Sequence, residues 1–226
     1  MVAGLLVVYD FVASQSKASP ATAYQHGRDM LGLTPFDLER RADHWLAGVH
    51  WLHAPAAYYY DLAHIDVTMA VLVGCWVWRS GAYRRARNGL VAINLIGLAT
   101  FFLYPVAPPR LLPDGGFVDI VADSGTWGAW EATDGAASRT NEFGSMPSLH
   151  TAWAVWVALT VWSMTPRPVW RWLAWGHVAM TVVVVVFTGN HYVIDLLAGA
   201  ATAVVAWAVA GRAVSQEAPR LSPASA

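Results

Sequence analysis

The chain has 226 residues, a net charge of −1, 56% hydrophobic and only 13% charged residues, and a mean hydropathy of +0.40. Soluble domains carry roughly 25% charged residues, so this composition excludes an ordinary globular domain and, with apolar runs of about 20 residues, indicates a multi-pass helical membrane protein. A charge near zero argues against a nucleic-acid partner, and the single cysteine, Cys75, excludes disulfide and cysteine-based metal frameworks.

Val2–Tyr9 is apolar, meets Asp10 and follows no Lys or Arg, so it lacks the charged start of a signal peptide. Residues 1–13 are read as a first membrane helix, too short to span alone, with more chain expected upstream. Ser14–Gly27 reads as loop. Over Phe36–Leu52, Leu38, Ala42, Trp45, Leu46, Val49 and Leu52 recur at near-helical spacing. That predicts an amphipathic helix (36–52) lying in the membrane interface, with Glu39, Arg40, Arg41, Asp43 and His44 as its solvated face. Pro55–Trp78 is expected to span, its first half holding Asp61, His64 and Asp66, and Arg79, Arg84, Arg85 and Arg87 are assigned to the short loop that follows.

Gly89–Ala107 is the next expected span, running out through Pro108-Pro109-Arg110. A long connection rich in Gly, Pro and acids leads to Pro147, a length that marks either function or disorder. Ser148–Thr165, Val169–Thr188 and Tyr192–Ala210 complete the spans, the last carrying Gly199 and Ala203 at a small-xxx-small spacing for close helix packing. Residues 212–226 are expected to be a disordered tail. The reading is an all-α transmembrane bundle of about six spans in one domain, with the catalytic bundle at 55–211. Three alternate connections hold Arg79, Arg84, Arg85, Arg87, Arg167, Arg171, Arg212 and Arg220, eight basic residues against six elsewhere. The positive-inside rule makes that side cytoplasmic.

The chemistry centres on Gly189-Asn190-His191-Tyr192-Val193-Ile194-Asp195. If the chain turns helical at Asn190, His191 and Asp195 share a face, and a carboxylate beside an imidazole fixes its tautomer and raises its basicity. A polar pair buried for structural reasons fits the same spacing. Weighing toward chemistry is a second stretch, Ser145-Met146-Pro147-Ser148-Leu149-His150, which opens another apolar run with a histidine. Counting spans puts Arg110, His150 and His191 at one membrane face. Ser148 as N-cap leaves backbone N–H groups free for an anion, and Arg110, presented by a Pro-Pro segment, suits phosphate. Two histidines, a carboxylate, an Arg and no metal motif point to phosphoryl transfer through a phosphohistidine, without metal or cofactor.

Pro147-Ser148-Leu149-His150 resembles the second signature of the phosphatidic-acid-phosphatase type 2 superfamily, usually Pro-Ser-Gly-His. His191-Tyr192-Val193-Ile194-Asp195 resembles its third, His-x-x-x-Asp. Ala-Pro-Pro-Arg, Met-Pro-Ser-Leu-His and Gly-Asn-His-Tyr-x-x-Asp are closer to bacterial members grouped with inositol-phosphorylceramide synthases, and His-Tyr-x-x-Asp is also similar to sphingomyelin synthases. The resemblance implies a nucleophile at His191, oriented by Asp195, a general acid at His150, and phosphate binding by Ser148 and Arg110, with Asn190 and Tyr192 beside them. Two departures stand out. Leu103 occupies the place of the family's Lys, with Leu111 after Arg110, and Val185 occupies the place of an Arg before the third signature. Arg139 is the candidate replacement.

Asp61 and His64 share a helix face and are read either as pocket wall for an acceptor hydroxyl or as interfacial residues. Asp66 points elsewhere, His177 reads as a packing residue and Cys75 as a small core residue. The expected activity is that of a lipid phosphotransferase or phosphatase in the cell membrane, its site facing the extracytoplasmic side and its substrate a membrane lipid arriving from the bilayer. The missing cations favour a diester substrate and a transferase. A phosphatidic acid or prenyl phosphate phosphatase, a vanadate haloperoxidase, and a non-catalytic transporter or channel are the alternatives.

Overall fold

A computed structural model describes residues 19–125 and 143–217. The expected first helix (1–13), Arg139 and the end of the tail lie outside these residues. The described chain is helical: α1 (Pro20–Leu33), α2 (Leu38–Ala47), α3 (the continuous run His50–Trp78), α4 (Ser80–Leu103), the short α5 (Ile120–Asp123), α6 (Leu149–Met164), α7 (Pro168–Phe187) and α8 (Val193–Glu217). Among the described residues four helical stretches are long and apolar enough to cross a membrane, His50–Trp78, Gly81–Leu103, Pro168–Phe187 and Val193–Val214. At 16 residues, α6 is shorter than these. It packs against α3, α4, α7 and α8, and being apolar on all sides it suits the middle of the bundle. Leu72, Cys75, Leu90, Ile93 and Ala203 gather around it, with its own Trp156 in the same cluster. Trp156 is fully buried and gives its indole N–H to Ala86 O at 2.9 Å.

Helix boundaries follow local chemistry. Pro166 stops α6, because the residue before a proline is pushed out of the helical region, and Pro168 starts α7, where a missing N–H costs nothing. Gly199 lets α8 approach α6 closely: a Cβ there would lie 2.3 Å from Ser148 O. Ala203, one turn on, is fully buried, so the small-residue spacing marks a real helix contact.

Several expectations are corrected. Ser14–Gly27 is not loop throughout, since α1 begins at Pro20. Its buried face is Ala23, Gly27 and Met30, a helical spacing of mostly small residues with little apolar signal. The predicted helix over 36–52 is shorter, Leu38–Ala47, bounded by Phe36 and Asp37 at positive φ and by Gly48. Its charges are not all solvated, because Glu39 and Asp43 are fully buried beside Ala42 and Leu46. Arg84, Arg85 and Arg87 belong to the first turns of α4, not to a loop; the break is confined to Arg79 at φ −143°. The last helix runs on past Ala210 to Glu217.

Candidate active site

α7 ends in a tight reversal that presents His191. Thr188 returns its hydroxyl to Val184 O at 2.8 Å, Gly189 takes φ 62°, and the N–H groups of Asn190 and His191 both reach Val185 O at 3.1 Å. α8 begins only at Val193, so His191 precedes the helix and does not share its face as expected. The pairing with Asp195 survives for another reason. Asp195 lies in the first turn of α8, and its side chain folds back to the start, accepting Tyr192 N–H at 3.0 Å in the manner of the acidic member of a capping box. The same oxygen, Oδ2, faces His191 Nδ1 at 3.4 Å and accepts the hydroxyl of Ser145. A carboxylate only accepts, so the His191 proton belongs on Nδ1 and Nε2 carries the lone pair.

His191 Nε2 faces His150 Nδ1 at 3.4 Å. His150 sits in the first turn of α6, whose N-cap is Ser148, as the sequence predicts; Ser148 Oγ accepts Thr151 N–H at 3.3 Å. Ser148 N–H in turn donates to Asp195 O at 3.1 Å, tying the starts of α6 and α8 together. On its other side His150 stacks on Tyr60 (centroids 4.5 Å apart, 24° between planes) and meets the His64 ring edge-on at 4.3 Å. Both come from α3, which widens to a π-helical turn over Tyr59–Ala63, a local form common at functional sites. His64 Nδ1 donates to Tyr60 O at 3.0 Å. Asp61 sits half-buried in the same widened turn.

Arg110 lies in the middle of a short 3-10 turn, Pro109–Leu111. Its backbone N–H bonds Gly189 O at 2.9 Å, and its Nε donates to Asn190 Oδ1 at 2.8 Å. Its Nη1 pairs with Asp119 at 2.6 Å. Asn190 is fixed from behind, donating its amide to Thr188 Oγ1 at 2.9 Å. Tyr192 has a different place from the one expected beside phosphate. It is fully buried and gives its hydroxyl proton to Ala107 O at 2.8 Å, a strut between α8 and the Tyr104–Ala107 segment. Burial pushes its phenol pKa up.

That segment is held by α1, where His26 stacks on Tyr104 at 4.0 Å and Ala107 N–H bonds Ala23 O at 3.0 Å. It also sets Ser145 in place through a single parallel bridge between Val106 and Gly144. Ser145, Glu39, Asp43, Asp119 and Tyr60 are therefore site neighbours that sequence reasoning missed as such. Ser145 stood inside a quoted motif; the others carried no spacing signal, since the contacts that bring them to the site are made across the fold, as from Asp119 to Arg110, 9 residues away, and from Glu39 to Val193, 154 residues away. Among the described residues no group of three His, Cys, Asp or Glu is placed to hold a metal ion.

Residues 33–209 match the model of the PAP2 superfamily. The chain belongs to the PAP2 superfamily. It is 27% identical over 183 residues to a phosphoinositol dihydroceramide synthase of Bacteroides thetaiotaomicron, covering 69% of this chain and 59% of that protein. It is 29% identical over 132 residues to the inositol phosphorylceramide synthase catalytic subunit of Schizosaccharomyces pombe, covering 52% of this chain and 30% of that protein. The chain thus spans less than two thirds of the length of both curated relatives. No solved structure matches it.

In this PAP2 chain the two departures from the family pattern have distinct settings. Leu103 is 77% exposed at the end of α4, an apolar side chain turned outward. Val185 is 1% exposed in a cluster with Ala42, Val186 and Leu196. Apolar packing between α2 and α7 fills the place where an Arg would stand.

Proposed function

We propose that this membrane protein transfers a phosphate-bearing group between lipids through a phosphohistidine on His191, in the manner of an inositol-phosphorylceramide synthase. The observation that carries the reading is the meeting of His191 Nε2 with His150, with Asp195 behind His191. An imidazole whose Nδ1 proton is held by a carboxylate offers its Nε2 lone pair as nucleophile. Substrate phosphate enters by parting the two rings. His191 Nε2 attacks phosphorus, the bond to the leaving oxygen breaks, and His150 gives that oxygen a proton. In the second half His150 takes the proton of the acceptor hydroxyl as its oxygen displaces His191 from phosphorus.

Arg110 and the N-capped start of α6 at Ser148 bind the phosphoryl oxygens, with Asn190 holding the guanidinium in place. Arg139 supplies a second cation, and Tyr60, Asp61 and His64 line the approach of the acceptor. Supporting a diester donor over a monoester is the small supply of positive charge: Arg110 already shares its guanidinium with Asp119, and Leu103 and Val185 stand where the family carries cations. The two relatives' names support inositol phosphate as the transferred group and a ceramide as acceptor. The surplus of Arg at the opposite end of the bundle supports an extracytoplasmic site in the cell membrane.

The test is incubation of purified protein with radiolabelled phosphatidylinositol or phosphatidic acid, with and without ceramide. Acid-labile, base-stable protein label that is absent in His191→Ala is expected, with turnover reduced by at least about 10³-fold. Label passing to ceramide identifies the transferase; release to water alone identifies a phosphatase. Wild-type protein that turns over none of these lipids defeats the reading.

A further inference from the structure

Helix α2 turns two carboxylates inward at an i, i+4 spacing, Glu39 and Asp43, both fully buried. Glu39 Oε1 accepts the backbone N–H of Val193 at 3.0 Å and the Thr34 hydroxyl at 2.6 Å. Val193 is the first residue of α8, two positions after His191 and two before Asp195. Its N–H has no partner within the helix, so a carboxylate arriving from 154 residues away completes the helix start. Asp43 works on the other side of the same loop. Its Oδ2 takes Val118 N–H at 2.9 Å, and a Cβ on Gly189 would come within 3.1 Å of its Oδ1. Burial pushes the Asp43 carboxyl pKa up, against the opposing bond from Val118.

Glu39 Oε2 and Asp43 Oδ1 are buried with no hydrogen-bond partner among the described residues. Carboxylates buried with acceptors idle are costly, and an apolar residue of similar size would avoid that cost. What the carboxylate provides and an apolar side chain cannot is a fixed acceptor for Val193 N–H.

From this geometry we infer that Glu39 is the positioning residue of the nucleophile's loop, setting where His191 points without touching substrate. The inference rests on the phosphohistidine reading. A nucleophile displaced by about 1 Å loses on the order of 100-fold in rate, and residues 189–193 pass close to Asp43 of α2 at Gly189 and are hydrogen-bonded to α2 at Val193 through Glu39. Loosening Glu39 releases the end that joins His191 to Asp195.

The experiment uses the full chain in lipid nanodiscs with radiolabelled phosphatidylinositol, following single-turnover labelling of His191 per folded molecule, donor KM and melting temperature. Glu39→Asp keeps the charge but withdraws Oε1 from Val193. It is expected to slow labelling by about 30- to 100-fold with KM unchanged. Glu39→Gln keeps an acceptor oxygen in place and is expected to label close to the wild-type rate. A role confined to folding would lower the melting temperature and folded yield of Glu39→Asp but leave the folded fraction as fast as wild type, and that result overturns the inference. So does Glu39→Gln failing as badly as Glu39→Asp, a comparison that holds even where Glu39→Asp folds poorly. Wild-type protein that never becomes labelled overturns the phosphohistidine reading and this inference together; labelled wild type with an unimpaired Glu39→Asp overturns this inference alone.

Discussion

The two ends of the bundle treat helix termini in opposite ways. At the site end carboxylates meet the N-terminus of α8: Asp195 takes Tyr192 N–H and Glu39 takes Val193 N–H. At the far end guanidinium groups meet carbonyls: Arg171 donates to Trp162 O at 3.2 Å in the last turn of α6 and to Thr165 O at 2.9 Å just after it, and Arg85 donates to Trp207 O at 3.2 Å in the second half of α8. Asp195 and Glu39 at a helix start and Arg171 at a helix end complement the helix dipole, whereas Arg85 meets α8 well before its end. Beyond that the ends diverge. The far-end cations also lie on indole faces, Arg171 over Trp162 at 4.0 Å and Arg85 over Trp207 at 4.4 Å, where stacking fastens one helix to another. At the site end the same kind of contact ends on the backbone flanking a histidine. Charge fastens helices at one end and aims a side chain at the other, so substitutions at the two ends should separate stability from turnover.

The sharpest separation is expected at Asp195. Asp195→Asn can still accept Tyr192 N–H, so the start of α8 should persist while labelling of His191 falls by about 10⁴-fold, the order of loss when an orienting carboxylate becomes an amide. Comparable melting temperatures with unequal labelling rates would bear this out, and equal rates would remove Asp195 from the mechanism. Gly199→Ala comes next. A Cβ 2.3 Å from Ser148 O must push α6 from α8 and so part His150 from His191. Turnover should fall more than about tenfold, whereas Gly176→Ala, with nothing within 4 Å of its Cβ, should leave it unchanged.

At the far end Arg171→Ala should cost about 1 kcal/mol of stability, from the lost carbonyl bonds and indole contact, with turnover intact. Turnover that drops as far as in Gly199→Ala would break the contrast between the ends. The smallest effect concerns pH. Asp43 has a folded pKa raised above its ordinary 3.8, so the unfolded chain ionises first. Stability is then lost as pH rises from that value through the folded one and stays level above it. Asp43→Asn should remove that decline, seen as a flatter profile of melting temperature against pH.

Much of the candidate site was legible because its motifs are local in sequence. His150 follows its N-cap Ser148 by two residues, His191 and Asp195 are four apart, and proline punctuation marks the end of α6 and the start of α7. Helix order alone then brings those stretches to one end of the bundle. The front of the molecule was not legible for a physical reason. α1 buries Ala23, Gly27 and Met30, residues chosen for closeness of approach, which leave no hydrophobic stripe. In α2, Glu39 and Asp43 read as solvated because charge usually is. Their long-range partners are backbone N–H groups of Val193 and Val118, and a backbone N–H has no signature in sequence. The π-turn at Tyr59–Ala63 was hidden likewise, since one extra residue per turn depends on what packs against it.

The bond from Ser148 N–H to Asp195 O has a consequence for how such a protein can change its substrate. On the proposed mechanism, one residue orients the nucleophile with its side chain and anchors the general acid's helix with its main chain, so neither histidine can be re-aimed without dragging the other. Tuning for a new headgroup or acceptor is thereby steered away from this frame, toward the π-turn of α3 and the loop bearing Arg110 and Asp119, whose side chains can be exchanged while the two imidazoles keep their spacing.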